Sequence, residues 1–308
     1  MNNIIFGPIH SRRFGKSLGM DLSPSKKQCN YDCLYCELEP AKTVDTQEEV
    51  LSVDAIVDAV QKGLDAHSDI DVLTITANGE PTLYPHLSEL IDRINAIKGS
   101  IQTLILSNGS TIADPAVQEA LLKIDTVKLS LDCASQKCLK KIDRMHGGID
   151  AETIKQGMRA FRARSNRTLV IEVLIVRGIN DTPESIAGLN DFLCMLQPDR
   201  VDLGTIDRPP AYRVEPVGDA ELQALAGHFD PMLPVHIAYR KPVPIAQEFY
   251  DDDAILSTLS KRPLTPEDIA LLMDDASQKR LDRLIGTGKI AVRQNKGMTF
   301  YVARTAGH

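Results

Sequence analysis

Cys29, Cys33 and Cys36 fall within one short run, Cys29-Asn30-Tyr31-Asp32-Cys33-Leu34-Tyr35-Cys36, a C-x3-C-x2-C spacing. Thiolates this close on a loop can converge on one inorganic centre, and soft sulfur ligands select iron–sulfur clusters or zinc. A cubane has four irons, so three cysteines leave one iron open to an exogenous ligand if no fourth protein ligand arrives. A catalytic cluster requires that open position. The alternative is a zinc site completed by a histidine such as His10. Six cysteines among 308 residues are too few for a disulfide scaffold, and the crowding of three of them points to metal binding in a reducing compartment.

The elements that must position this loop are legible in the hydrophobic periodicity. From about residue 50 the chain alternates helix-like and strand-like segments, the pattern of parallel βαβ units. A strand over 18–22 leads into the cysteine loop, and Ser52 caps a helix running to Ala66. Further strands are expected at 71–76, 102–107, 126–131, 169–176 and 200–206, with helices at 85–97, 114–123, 151–164 and 184–196 between them. This α/β pattern suits a partial (β/α)6 TIM-like barrel or a doubly wound sheet, and both put chemistry at the carboxyl ends of the strands. The polar and glycine-containing groups all fall at that edge: the cysteine loop, Asn78 to Pro81, Ser107 to Gly109, Ser130 to Cys133, Arg177 to Asn180 and Thr205 to Pro210.

Hydrophobic residues make up 43% of the chain, enough for a sizeable core. No uncharged apolar run approaches the roughly 20 residues of a bilayer helix, and the start has no long apolar segment with a cleavage site, so a cytoplasmic protein with no membrane partner is expected. The formal charge of −7 is uneven, because residues 254–308 carry nine Lys/Arg against five Asp/Glu, a formal +4. The acidic whole argues against indiscriminate nucleic-acid binding, while the basic tail leaves local binding open. The acidic run Asp251-Asp252-Asp253 marks a boundary between a domain at 1–250 and one at 254–308. The latter reads as helices at 254–260, 265–273 and 277–286, then strands at 290–294 and 299–303, a small C-terminal winged-helix domain. Lys279, Arg280 and Arg283 cluster on its third helix and suit RNA or DNA, with Lys296 as a phosphate contact; the same fold also serves protein contacts.

The cysteine spacing, with Tyr35 before the last cysteine and the first strand just ahead, resembles the signature of the radical S-adenosylmethionine (SAM) superfamily. The resemblance implies a [4Fe–4S] cluster on Cys29, Cys33 and Cys36 as the catalytic centre. Its open iron binds the amino and carboxylate groups of SAM, and one electron breaks a carbon–sulfur bond to give methionine and a 5′-deoxyadenosyl radical that abstracts hydrogen from substrate. Glu80 resembles the end of the family's Gly-Gly-Glu motif, with Gly79 kept and Asn78 in place of the first glycine, and it offers a carboxylate to the SAM ammonium. Ser130 and Asp132 share a strand face by alternation and suit the ribose hydroxyls. Asn108 is a further cofactor-binding candidate, although Asn108-Gly109 also suits a plain turn; Arg177 suits the SAM carboxylate, and backbone groups of Leu203 to Thr205 suit the adenine.

More narrowly, Gly7 to Arg13, Gly79 to Pro85, Ser107 to Gly109, Leu129 to Asp132 and Arg208-Pro209-Pro210 resemble a subgroup of iron–sulfur oxidoreductases related to the wybutosine-synthesis radical enzymes that act on transfer RNA. The implied partners are a reductant such as flavodoxin or ferredoxin and an RNA substrate, with peptide modification or a metal-sensing regulator as other readings. Arg12, Arg13 and Lys16 form a basic run suited to a phosphate or carboxylate. Arg144, His146 and Arg208 sit in strand-end loops as substrate candidates. Cys133 reads as a reduced, semi-exposed thiol, and Cys194 as helix packing.

Overall fold

In the computed structural model, which describes residues 4–11, 14–237, 247, 249–261, 263–295 and 298–304, strand β1 (Ile5–Ser11) lies antiparallel to β2 (Gly15–Asp21). The Phe6 ring covers Gly19, where a Cβ would stand 2.2 Å from the ring. From β2 onward the strands run parallel and in sequence order: β3 (Val72–Thr76), β4 (Gln102–Ser107), β5 (Thr126–Ser130), β6 (Thr168–Ile175), β7 (Arg200–Thr205) and β8 (Val235–Ile237). Helices fill the crossovers: α1 (Val53–Ala66), α2 (Leu87–Ile97), α3 (Pro115–Leu121), α4 (Gln136–Ile142), α5 (Ala151–Arg164), α6 (Pro183–Leu196) and α7 (Asp219–Ala226). An order without reversal is the winding of a TIM-like barrel, and it removes the doubly wound alternative.

Local signals explain the helix starts. Ser52 accepts from the Ala55 amide at 3.3 Å, and Asp150 accepts from Thr153 at 2.8 Å. Thr182 caps α6, with Pro183 in its first turn. Alternate strand residues such as Leu73, Ile75, Ile105, Val127, Leu129, Ile171 and Leu203 pack with Ile56, Val60, Leu90 and Leu189 in one core. Each such side chain contributes about 1.5–3 kcal/mol on full burial. The other strand face is polar, with Ser17, Thr74, Lys128, Glu172 and Asp202; Lys128 pairs with Glu172 and lies 3.6 Å from Asp202.

After residue 250 the chain forms α8 (Asp252–Lys261), α9 (Pro266–Leu272), α10 (Asp275–Gly286) and an antiparallel ribbon of β9 (Ile290–Asn295) and β10 (Met298–Ala303). Ile255, Leu259, Ile269, Leu281, Leu284 and Ile290 give these elements their own core. Thr265 and Asp268 cap α9 reciprocally. Contact with the barrel runs through Tyr250, whose hydroxyl donates to Pro8 O at 2.8 Å, and through Arg293, 3.5 Å from Glu39. Two of the three cations expected to read nucleic acid are engaged within the module: Arg280 and Arg283 both bind Asp252, at 3.2 and 2.5 Å. Lys296 lies outside the described residues. Among those residues no helix is long and apolar enough to cross a membrane.

Candidate active site

The cysteine loop is fastened to the end of β3 by a short parallel bridge. The Gln28 amide donates to Asn78 O at 2.9 Å and the Glu80 amide donates to Gln28 O at 3.0 Å. The approach depends on Gly79, which has φ +139 and whose added Cβ would fall 1.9 Å from Gln28 O. The loop is held elsewhere by the Asp32 amide on Asp143 O at 3.0 Å, the Leu34 amide on Ile142 O at 2.9 Å and the Ala211 amide on Cys36 O at 2.8 Å.

The three thiols are unpaired. Cys29 Sγ receives the Tyr31 amide at 3.4 Å and Asn108 Nδ2 at 3.7 Å, while Lys27 Nζ stands 3.7 Å from Cys36 Sγ. Burial, reinforced by the Glu80 charge, pushes Cys29 up to about 12. Burial also raises Cys33 well above its ordinary value, helped by Asp143, and raises Cys36 despite Lys27. Such thiols ionise when a cation replaces the proton, so loading the site releases protons. Among the described residues no three His, Cys, Asp or Glu side chains form a single-ion site. A cubane does not ask for one, because each cysteine binds a different iron. Three free thiols on one anchored loop, with N–H donors and a lysine turned to the sulfurs, fit a [4Fe–4S] cluster.

Glu80 is 1% exposed and fully engaged. Its Oε1 accepts from the Thr82 amide at 2.9 Å, the Thr82 hydroxyl at 2.6 Å and the Ser107 hydroxyl at 2.7 Å; its Oε2 accepts from the Asn108 amide at 2.7 Å. Burial raises its pKa while these donors pull it down. Glu80 thus knits the ends of β3 and β4 beneath Cys29. Asn108 does more than turn the chain, since its amide side chain also donates to Asn30 Oδ1 at 2.9 Å.

Four further groups are taken up by protein partners, and of these Cys133 corrects an expectation. Strand β5 ends at Ser130, so the alternation stops there: Ser130 stays half-buried at the edge, while Asp132 turns inward, 1% exposed, and accepts from the Leu174 amide at 2.7 Å. Arg177 grips Glu221 with both terminal nitrogens, at 2.9 and 2.5 Å, on an exposed rim. Lys16 is 7% exposed and bonded to Asp69 at 2.8 Å; Arg12 and Arg13 lie outside the described residues. Cys133 is buried and joined to Cys138 in a disulfide. Cys194 is half-buried on α6.

A cavity of about 400 Å³ opens beside the loop, lined by Tyr35, Cys36, Glu37 and Leu38, by Glu172 to Leu174 of β6, and by Gly204 to Arg208 at and just beyond the end of β7. Its size suits a nucleoside-sized ligand. Arg208 stands in its wall, 3.1 Å from Glu37. Arg144 lies instead beside Asp32, at 3.4 Å, and the His146 amide donates to Asn30 O at 2.8 Å. Sequence reasoning missed Asp32, Asp143 and Tyr212. Tyr35 donates to Asp143 at 3.3 Å and Tyr212 donates to Asp32 at 2.6 Å. Only Asp32, inside the cysteine run, carried any signal of its position.

The Radical SAM superfamily pattern matches residues 25–189, more than half of the chain. A UPF0026 protein of Helicobacter pylori (strain J99) is 41% identical over 304 residues, covering 97% of each chain. A UPF0026 protein of Methanocaldococcus jannaschii is 30% identical, covering 97% of this chain and 95% of that one. Among solved structures, Streptococcus suis SuiB bound to S-adenosylmethionine has a similar fold, with a TM-score of 0.55 at 19% identity over 70% of this chain and 49% of that one. By the residues of its cysteine loop, its barrel winding and these matches, the chain belongs to the radical SAM superfamily, whose members use a [4Fe–4S] cluster and SAM.

Proposed function

We propose that this protein cleaves SAM reductively at a cluster held by Cys29, Cys33 and Cys36, and that the resulting radical modifies RNA. The observation that carries the reading is the cavity joining Cys36 to the ends of β6 and β7. When bound, the cluster supplies the electron that breaks a carbon–sulfur bond of SAM, yielding methionine and a 5′-deoxyadenosyl radical that abstracts hydrogen. The chain's own residues bind and orient. Gly204 and Thr205, half-buried at the end of β7, line the cavity and suit an adenine edge, and Ser130, paired in register with the cavity-lining Glu172, offers a strand-end hydroxyl to a ribose. Asn108 and the Tyr31 amide hold the Cys29 sulfur, and the Asn78–Glu80 bridge fixes the loop against the sheet. Arg208 faces the same cavity and is the substrate-binding candidate there. A metal-sensing regulator would have no use for such a cavity.

The RNA half rests on the subgroup resemblance and on the C-terminal elements, which we read as a winged-helix domain at 254–308. With Arg280 and Arg283 engaged by Asp252 and Arg293 by Glu39, the exposed Lys289 and Arg304 beside the ribbon become the phosphate contacts. A peptide is the competing substrate class; the SuiB fold has also been solved with a precursor peptide. The test is anaerobic reconstitution followed by electron paramagnetic resonance with and without SAM and an assay for 5′-deoxyadenosine. The expected result is a cubane signal that SAM perturbs, with 5′-deoxyadenosine formed, and both lost in Cys33→Ala. Zinc in place of iron, or a cluster indifferent to SAM, would sink the reading. Sequencing of RNA copurified anaerobically tests the substrate half.

A further inference from the structure

Cys133 and Cys138 form a disulfide with Cα atoms 5.8 Å apart, while Cys29, Cys33, Cys36 and Cys194 stay free. The bond joins a fixed point of the barrel to a helix that acts on the cysteine loop. On the barrel side Cys133 follows Asp132, whose carbonyl accepts from Asn180 Nδ2 at 2.9 Å and whose carboxylate accepts from the Leu174 amide at 2.7 Å. On the helix side Cys138 lies in the first turn of α4, where the Ser135 hydroxyl accepts from its amide at 3.3 Å.

With seven residues α4 is too short to be stable alone, so its attachments decide where it stands. Leu139 and Ile142 are buried, Gln136 donates to Ile149 O at 3.0 Å and accepts from the Ala151 amide at 2.6 Å, and the disulfide ties the first turn to the end of β5. The other end of α4 clamps the cysteine loop. Ile142 O and Asp143 O receive the Leu34 and Asp32 amides, which flank Cys33, and the Asp143 carboxylate receives the Tyr35 hydroxyl. The two sulfurs differ in access, since Cys133 is 1% exposed and Cys138 is half-buried. An incoming thiolate therefore meets Cys138, and Cys133 is the leaving thiol. Three thiols that must stay reduced to take iron stand one short helix away, and in such surroundings a disulfide belongs to the class that opens and closes.

We propose that Cys133 and Cys138 form a reversible thiol–disulfide switch that sets how firmly α4 grips the cysteine loop, and with it how well the loop keeps a cluster. The inference goes beyond the proposed function, resting on its cluster-binding half and independent of RNA. In closing, the two thiols give up two electrons and two protons to a disulfide oxidant such as oxidised glutathione, which leaves as two thiols. In opening, one thiolate of a dithiol reductant attacks Cys138 Sγ and displaces Cys133, and its second thiol then displaces Cys138, so that the reductant leaves as a disulfide and both cysteines are protonated. Closed, the bond holds α4 where its carbonyls meet the Asp32 and Leu34 amides. Open, the first turn of α4 parts from β5, and those amides lose a fixed acceptor.

The test uses the full-length protein, reconstituted anaerobically and then equilibrated with glutathione buffers from oxidising to reducing. Alkylation and mass spectrometry are expected to find Cys133 joined to Cys138 in the oxidising buffers and both as thiols in the reducing ones. Iron loss to a chelator is expected to be about tenfold faster from the open form, and in the cluster-free chain the Asp32 and Leu34 amides should exchange hydrogen about tenfold faster when the bond is open. The double variant Cys133→Ser, Cys138→Ser should behave as the open form in every buffer; if it fails to fold, the titration of the unaltered protein decides alone. Free thiols at both positions in every buffer overturn the proposal. So do equal iron loss and equal amide exchange in the two forms. An unaltered protein that takes up no iron, yet shows the exchange difference, upholds the grip of the switch on the loop and brings down the proposed function instead.

Discussion

Glu80 and the pair Asp132 and Asp143 are buried carboxylates, the first acting on Cys29 and the second on Cys33. Glu80 receives four donors from three residues, so its charge is matched by polar groups contributed from two strand ends. Asp132 and Asp143 face each other across Tyr35, and one oxygen of Asp132 has no hydrogen-bond partner among the described residues. Burial raises all three; on the second side the Asp143 charge raises Asp132 further, while burial holds Asp143 up at about 7 against hydrogen bonds from Cys33, Tyr35 and Asp132 that pull it down. The difference separates two uses of a buried acid. Glu80 is an anchor whose worth is the donors it satisfies, while the aspartate pair holds a proton next to a thiol.

Removing the anchor should produce the largest effect. Glu80→Ala leaves the Thr82 amide and hydroxyl, the Ser107 hydroxyl and the Asn108 amide without their acceptor, and an unsatisfied buried group costs about 1–3 kcal/mol. A total loss of about 3–5 kcal/mol is expected, read as a lower melting point of the cluster-free protein and as poor iron retention after reconstitution. Glu80→Gln keeps the volume and one acceptor oxygen, so it should fall between. A Glu80→Ala protein that melts like the parent would remove the distinction between the two regions.

The aspartate pair should show itself through pH. Asp143 titrates at about 7 in the folded chain against an ordinary 3.8, so between those values the folded state holds a proton that the unfolded state has lost. Through Asp143, stability of the cluster-free protein therefore falls as pH rises from about 4 through about 7, and Asp132, also raised, adds to the same sign. Asp143→Asn removes its share of that fall and should be the more stable protein at about pH 8, provided its amide donates toward Asp132. Denaturant midpoints across this range measure the effect. A parent midpoint independent of pH would mean that the pair shares its environment with water, as Glu80 does not.

What the sequence revealed and what it hid follow the same division. The cysteine spacing, the six central strands and most crossover helices were legible because period and spacing are local properties. The short β8 is too brief to show a period, and α4, with seven residues, offers barely two turns. Asp132 was misplaced because alternation holds only while the strand continues, and β5 stops at Ser130. The pairing of Arg177 was hidden because Glu221 is 44 residues away, in a helix that carried no chemical signal. Asp143 meets Cys33 only once α4 has folded back onto the cysteine loop, a contact that no pattern in either segment announces.

Arg177 supplies the smallest expected effect and the control for the other two. It also lies after a barrel strand and is ion-paired, yet its side chain is 41% exposed and that of Glu221 is 53% exposed. Glu221 is drawn down to about 2 by the guanidinium beside it, but water screens the pair and its two long side chains lose freedom when they meet. Arg177→Ala should therefore leave the melting point nearly unchanged, and what little it changes should vanish in high salt. It should also leave SAM affinity intact, measured calorimetrically on the reconstituted protein. A marked loss of SAM affinity would show that Arg177 leaves Glu221 when the cofactor enters, and would give it the expected place at the SAM carboxylate.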